Sequence, residues 1–182
     1  MNSRKLILRT MAICASICSV IIVSGARVNA QDDSVRKQLD AFFADRDKAI
    51  KGKDIKLLHA TRSLDFTFGT LDSSDGFVDK GAEAQAKADR VLVDVDKNMP
   101  SLSHSVTDVH SFSTKLRTVK QGRTANEMIV ETAEKGKMQA TWGNELSEMT
   151  FQGKSRHLCV LTDKGWRIKR TEEVEFDLQS IQ

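Results

Sequence analysis

Residues 156–176 read RHLCVLTDKGWRIKRTEEVEF, two runs of alternating character on either side of Asp163-Lys164-Gly165. Leu158, Val160 and Thr162 alternate with His157, Cys159 and Leu161 in the first run. In the second, Trp166, Ile168, Val174 and Phe176 fall on one face, and Arg167, Lys169, Thr171, Glu173 and Glu175 on the other. A period of two marks a strand with one buried and one wetter side. Gly165 can take the positive φ that a tight reversal requires. The stretch therefore predicts an antiparallel hairpin. Arg170 and Glu172 interrupt its apolar face. A charge at a core-facing position needs a partner: each other, Asp108, or an anionic ligand held by the planar Arg170 fork.

Strand character extends back from this hairpin to Pro100, the only proline. His104 to Val119 reads as one long, bent strand, Gln121-Gly122-Arg123 as a turn, and Asn126 to Ala133 as a second strand. Glu134 to Lys137 reads as another turn, and Trp142-Gly143-Asn144 as a bend or bulge in the weakly patterned stretch 138–151. Before Pro100 the period is mostly that of helices. Val35, Leu39, Phe42, Phe43 and Ile50 predict a helix over 33–51 that stops at Gly52, and Asp54 caps a short second one. Phe66 and Phe68 alternate with Asp65 and Thr67, and turn residues 72–76 lead back into Phe77-Val78, a small hairpin. Asp79 then caps a third helix. Its stripe Ala84, Ala88, Val91, Leu92, Val95 and Met99 predicts continuity to Asn98, where Pro100 ends it.

Helices first and strands last define an α+β protein. The expected architecture is a cone-shaped α+β barrel, with three N-terminal helices packed on a strongly curved antiparallel sheet. A pocket between the helices and the concave face is the default place for a small ligand.

The first thirty residues carry a different signal. Arg4, Lys5 and Arg9 precede the uncharged run Met11 to Val23, and Val28-Asn29-Ala30 is a small-residue cleavage pattern. The expectation is a signal peptide at 1–30, cut after Ala30, with the domain at 31–182 and a secreted or periplasmic location. The run is too short to span a bilayer as a helix, so no membrane association is expected after cleavage. The leader holds four basic residues and no acidic one; the other 152 residues carry 24 basic against 25 acidic, a net −1. Without a basic excess nothing favours nucleic acid, whose binding rests on neutralising phosphates. Only Cys159 lies beyond the leader, so no internal disulfide is expected, and a thiol among apolar neighbours reads as structural.

The element order and several short motifs resemble the nuclear transport factor 2-like superfamily, in particular its SnoaL-like and ketosteroid-isomerase-like branches. The resemblance spans roughly 33–177 of the sequence. It rests on Gly52-Lys53-Asp54 between the first helices, on Asp65-Phe66 leading through Asp75-Gly76 to Asp79, and on Asp163-Lys164-Gly165-Trp166-Arg167-Ile168. It implies the cone fold, a cavity for a small molecule and, in some members, homodimers. It does not fix a function, because this fold hosts isomerases, dehydratases and non-catalytic modules. In the isomerase branch a first-strand carboxylate abstracts a proton, and a tyrosine with a protonated acid holds the enolate oxygen. Asp65 lies near that position, but the chain has no tyrosine, so the usual oxyanion donor is missing.

Three residues are candidates for catalysis: Asp65, and the pair Asp108 and His110. The pair stands two apart on one strand, so both point to one face, shared with Val106 and Phe112. If that face is concave, Asp108 could orient the imidazole and leave its other nitrogen as base. Candidates for ligand binding are Arg170, Glu172, Trp142, Phe66 and Phe68. The bland reading of each is a rim pair, a structural salt bridge or core packing. No cluster has zinc-site spacing, and no phosphate-cradling loop, nucleophile elbow or dinucleotide fingerprint is present, so no metal and no cofactor is expected. Three functions stay open: binding of a small, partly apolar ligand in the cone; isomerase- or dehydratase-type chemistry with a cavity His/Asp pair; and a dimerisation module.

Overall fold

The computed structural model describes residues 33–72, 78–94, 103–142 and 145–181. The leader reading of 1–30 lies outside these residues. Two compact units are distinguished, 1–39 and 40–182. Of the first, 33–39 are described, as the opening of helix α1, which runs 33–51. The second unit holds all that follows.

After α1, Asp54 caps helix α2 (Ile55–Ala60), its carboxylate accepting from the Leu57 amide at 2.9 Å. Strand β1 (Arg62–Gly69) pairs antiparallel with β2 (Val78–Lys80), the small hairpin expected from its sequence. Helix α3 (Gly81–Asp89) is shorter than its apolar stripe implied, and Asp79 lies in β2 rather than capping it. The chain turns at 90–92 and enters β3 (Val93–Asp94), which pairs with β4 (His104–Gln121). Val91 and Val93 are β-branched and hold a helix poorly. Leu92 instead offers its carbonyl to the Val106 amide at 2.8 Å. Val95, Met99 and Pro100 lie outside the described residues.

Strands β5 (Glu127–Trp142), β6 (Glu145–Thr162) and β7 (Gly165–Ile181) complete a seven-stranded sheet ordered β2-β1-β7-β6-β5-β4-β3. The class is α+β with helices on a curved sheet, as expected, but the sheet is mixed and unclosed, because β1 runs parallel to β7. The closing hairpin forms as read, with Gly165 at φ 88°. The turn expected at Glu134–Lys137 does not form; β5 runs straight through it. Gly136 sits between Phe112 on β4 and Phe151 on β6. Those two rings stack with centroids 5.7 Å apart. The glycine marks a close approach of neighbours, not a reversal.

The core joins Ala49 and Ile50 of α1, Leu58 of α2 and Leu92 to Phe112, Met138, Met149 and Phe151 of the sheet. The outer edge of β4 is long, and side chains occupy it. Asp47 accepts from the Thr114 amide at 2.8 Å, and Lys53 donates to the Thr107 carbonyl.

Bulges decide which side chains face this core. β4 carries an extra residue at Thr107, His110 and Arg117, and β7 at Lys169 and Val174. Each extra residue shifts the alternation by one. On β4 the buried set is therefore His104, Val106, Val109, Phe112 and Leu116. On β7, Trp166 and Ile168 face inward, then Thr171 and Glu173, then Phe176. The face read from Trp166 to Phe176 with Arg170 and Glu172 interrupting it is thus cut twice by bulges, and neither charge lies on it.

Candidate functional site in the cone

Inward-facing residues of β5, β6 and β7 meet α1, β1 and the segment after α3 around a small polar cavity. It leaves ≈ 40 Å³ for the centre of a water-sized sphere. His157 forms its floor and is wholly buried. In register it lies between Val130 and Thr171. Its Nδ1 is 3.0 Å from the Thr171 hydroxyl and its Nε2 3.2 Å from that of Thr132. Thr132 donates onward to the Ser155 carbonyl at 3.4 Å. The tautomer consistent with this chain has Nε2–H donating to Thr132 and Nδ1 accepting from Thr171. Burial, with Arg46 and Arg62 nearby, pushes the His157 pKa well below its ordinary value, so the ring is neutral at physiological pH.

Ion pairs ring this floor. Arg46 of α1 donates to Glu134 at 2.9 Å, with both side chains buried. Arg62 of β1 donates to Asp89 at 2.7 Å and to Gln85, and its guanidinium lies 5.0 Å from the centre of the Phe66 ring. At the mouth, Arg90 pairs with Glu173 and lies over the Phe176 ring at 3.8 Å. The Arg90 Nε is buried without a hydrogen-bond partner. Burial raises the Glu173 pKa, with Arg90 opposing the shift. Phe68, Val91, Ile168 and Phe176 supply apolar wall. The site thus couples a satisfied imidazole floor to a mouth holding one spare donor and one carboxyl that keeps its proton unusually well.

Of the residues singled out in the sequence, Phe68 lines the cavity, while Phe66 is buried beside Arg62. Asp108 and His110 touch, His110 Nδ1 to Asp108 Oδ2 at 3.2 Å, but both are exposed on the opposite face, and His110 Nε2 meets Glu148 at 3.1 Å. Asp65 is exposed. Arg170 donates to Thr67 at 3.0 Å, and Glu172 pairs with Arg156 at 2.8 Å rather than with Arg170. Both stand on the outer face, where a groove brings Asp65 and Arg170 together. Trp142 ends β5; a role for its side chain lies outside what is described. Among the described residues no group of three or more His, Cys, Asp or Glu could hold a metal.

Sequence reasoning missed Arg46, Arg62, Arg90, Glu134, Thr171 and Glu173, and noticed His157 only as a neighbour of Cys159. One signal was present: Arg46 falls at helical spacing between Phe43 and Ile50, a charge within an apolar stripe. Cys159 is buried, and burial raises its pKa, which keeps it a protonated thiol.

No family model matches the sequence, and no curated protein does. Solved structures match its fold. A hexachlorocyclohexane dehydrochlorinase, LinA type 2, superposes with TM-score 0.53 at 9% identity, over 85% of this chain and 93% of that one. A protein of Novosphingobium aromaticivorans, provisionally described as a scytalone dehydratase, gives 0.51 at 13% identity over 85% and 89%. Another from the same organism, provisionally described as an aromatic ring hydroxylase, gives 0.50 at 14% over 81% and 94%. These structures share with this chain the fold of helices on a curved sheet that the resemblance to the nuclear transport factor 2-like superfamily implied. At these identities the likeness is one of fold.

Proposed function

We propose that this is an exported single-domain protein that binds a small, partly apolar molecule at the mouth of the cone. The observation that carries the reading is the unpartnered Arg90 Nε, a donor set beside the Phe176 ring and above a polar floor. A buried donor without a partner costs free energy until an acceptor arrives. A ligand with a carbonyl or ether oxygen on an apolar body matches that arrangement, because apolar walls with a few placed polar groups are what such sites offer. The cavity itself is of water scale, so this reading requires Arg90 and Phe176 to swing outward as the ligand seats. The test is an NMR titration with cyclohexanone, using Arg90→Lys, which keeps the cation and removes Nε. Shifts at Thr171, Glu173 and Phe176 that weaken in the variant support the reading; an unresponsive mouth at millimolar cyclohexanone ends it. Export is tested by the mass of the processed chain, expected to begin at Gln31.

One observation favours an enzyme of isomerase or dehydratase type: Glu173, in the same mouth, has a raised pKa. A carboxyl whose pKa burial raises holds a proton more readily than a free one, which suits a group that takes up and returns a proton. Asp108 and His110 face away from the cone and do not supply that chemistry there. Exchange of the α-protons of cyclohexanone for deuterium, faster with the protein and lost in Glu173→Gln, would establish proton transfer over simple binding.

A further inference from the structure

The outer face of the sheet carries a second groove. Thr67 on β1 lies opposite Lys80 on β2 and opposite Arg170 on β7, so one register row presents Lys80, Thr67 and Arg170 side by side. Neighbouring strands are about 4.8 Å apart, which sets the backbones of Lys80 and Arg170 about 10 Å apart across Thr67. The bulge at Lys169 adds a third cation. Two residues of β7 stand against one position of β6, and both Lys169 and Arg170 line the same groove. The Thr67 hydroxyl at 3.0 Å and the Thr70 carbonyl at 3.4 Å hold the Arg170 guanidinium in place. Among the described residues neither Lys80 nor Lys169 has an ion-pair partner, and Asp65 is the sole carboxylate in the groove wall.

The same row continues into apolar ground. Arg170 pairs in register with Leu158, and Leu158 with Ile129. Leu64 rises from β1, where several extra residues separate its two pairings with β7, and is fully exposed. The groove has ≈ 360 Å³ of room against ≈ 40 Å³ in the cone, within the range of small-molecule sites. Along the row the cations Lys80 and Arg170 come first and Leu158 follows, which defines a head and a tail; Leu64 and Asp65 stand opposite Lys169 on the cationic side.

We propose that this groove binds a small amphiphilic anion, with its carboxylate or phosphate head between Lys80, Lys169 and Arg170 and its apolar body along Leu158. Charge-assisted hydrogen bonds from a pre-held guanidinium favour an oxyanion. Leu158 gains by being covered.

The probes are octyl phosphate, octanol and inorganic phosphate, added to the full chain and followed by NMR and calorimetry at low salt. Octyl phosphate is expected to bind at least tenfold more tightly than either part alone. Shifts should centre on Thr67, Leu158 and Lys169. Each of Lys80→Gln and Lys169→Gln should weaken binding about three- to tenfold, the scale of one solvent-exposed hydrogen bond. Binding should also fall between 20 and 200 mM salt, across which the screening length shortens about threefold. Both lysines are surface residues, and circular dichroism and thermal unfolding verify that the variants are folded. Equal binding of octanol, indifference to both lysine changes, or shifts confined to Arg90 and Phe176 would overturn the site. Binding to phosphatidylglycerol vesicles without binding to octyl phosphate would overturn the small-ligand assignment in favour of a lipid surface.

Discussion

Arg46 and Glu134 meet at 2.9 Å, with less than a tenth of either side chain exposed. The pair joins α1 to the middle of β5 and forms one wall of the cone cavity. Two buried charges are tolerable together and costly apart. Arg46→Ala or Glu134→Ala alone should destabilise the protein by about 3–5 kcal/mol, because each leaves an unpaired buried charge. The double replacement Arg46→Met with Glu134→Leu should recover most of that loss. Urea unfolding of the four proteins checks the cycle. Additive single losses in the double variant would mean that the pair is not coupled.

His157 makes stability depend on pH. Its folded pKa lies well below the unfolded value, first because it is buried and then because Arg46 and Arg62 oppose a further positive charge. As pH falls below about 6.5, the unfolded chain takes up a proton that the folded chain does not. Stability is therefore intact above that pH and lost as pH falls toward the folded pKa, with a slope of up to about 1.4 kcal/mol per unit. His104, held low mainly by burial, acts in the same sense. Glu173 acts oppositely, since its raised pKa lets the folded state take up a proton before the unfolded one. His157→Gln can keep contacts to Thr132 and Thr171 without the titration. Its stability should fall less steeply than that of the natural protein between pH 7 and 5, by denaturant melts. Parallel slopes would remove His157 as the cause.

These two residues also mark the limit of what the sequence reveals. Long-period features were legible: the 33–51 helix, the Asp54 cap and the Gly165 reversal each follow from local chemistry. Side-chain direction in the long strands was not, because a single bulge inverts every assignment beyond it. Val106, Val109 and Phe112 are three apart, the trace of bulges at Thr107 and His110. Strict alternation instead grouped Asp108 and His110 with Val106. The same error placed Arg170 and Glu172 inside and left Thr171 and Glu173 unnoticed. The third helix was over-read because an apolar stripe does not distinguish a helix from a turn followed by a strand whose partner, β4, lies farther along the chain.

Asp47 protects an exposed strand edge. Its carboxylate accepts from the Thr114 amide at 2.8 Å and the Thr114 hydroxyl at 2.6 Å. Edge donors left open invite pairing with other chains. Asp47→Ala should cost about 1–3 kcal/mol for the unsatisfied groups and raise concentration-dependent association, seen by light scattering on mild heating. Asp47→Asn keeps an acceptor for one of the two bonds and should lose less. Identical behaviour of the Ala and Asn variants would show that the hydrogen bonds do not protect the edge.

Gly136 is a place where the sheet has no room for a methyl group. A Cβ there would stand 2.8 Å from the Ser111 carbonyl oxygen and 2.9 Å from the Phe112 ring. The carbonyl belongs to the β4 backbone and cannot turn aside as a side-chain tip does. Gly136→Ala should gain a little from reduced unfolded-state freedom, about 0.4–1 kcal/mol. Overpacking should more than cancel this, for a net loss of about 1–2 kcal/mol. The Phe112–Phe151 stack at 5.7 Å should loosen with it, visible as altered ring resonances. Gly81 provides the contrast: no atom lies within 4 Å of its Cβ position, so Gly81→Ala meets only the strain of φ 58°. If Gly136→Ala proves the milder of the two by thermal unfolding, close packing of Phe112 and Phe151 over the glycine is not what holds this part of the sheet.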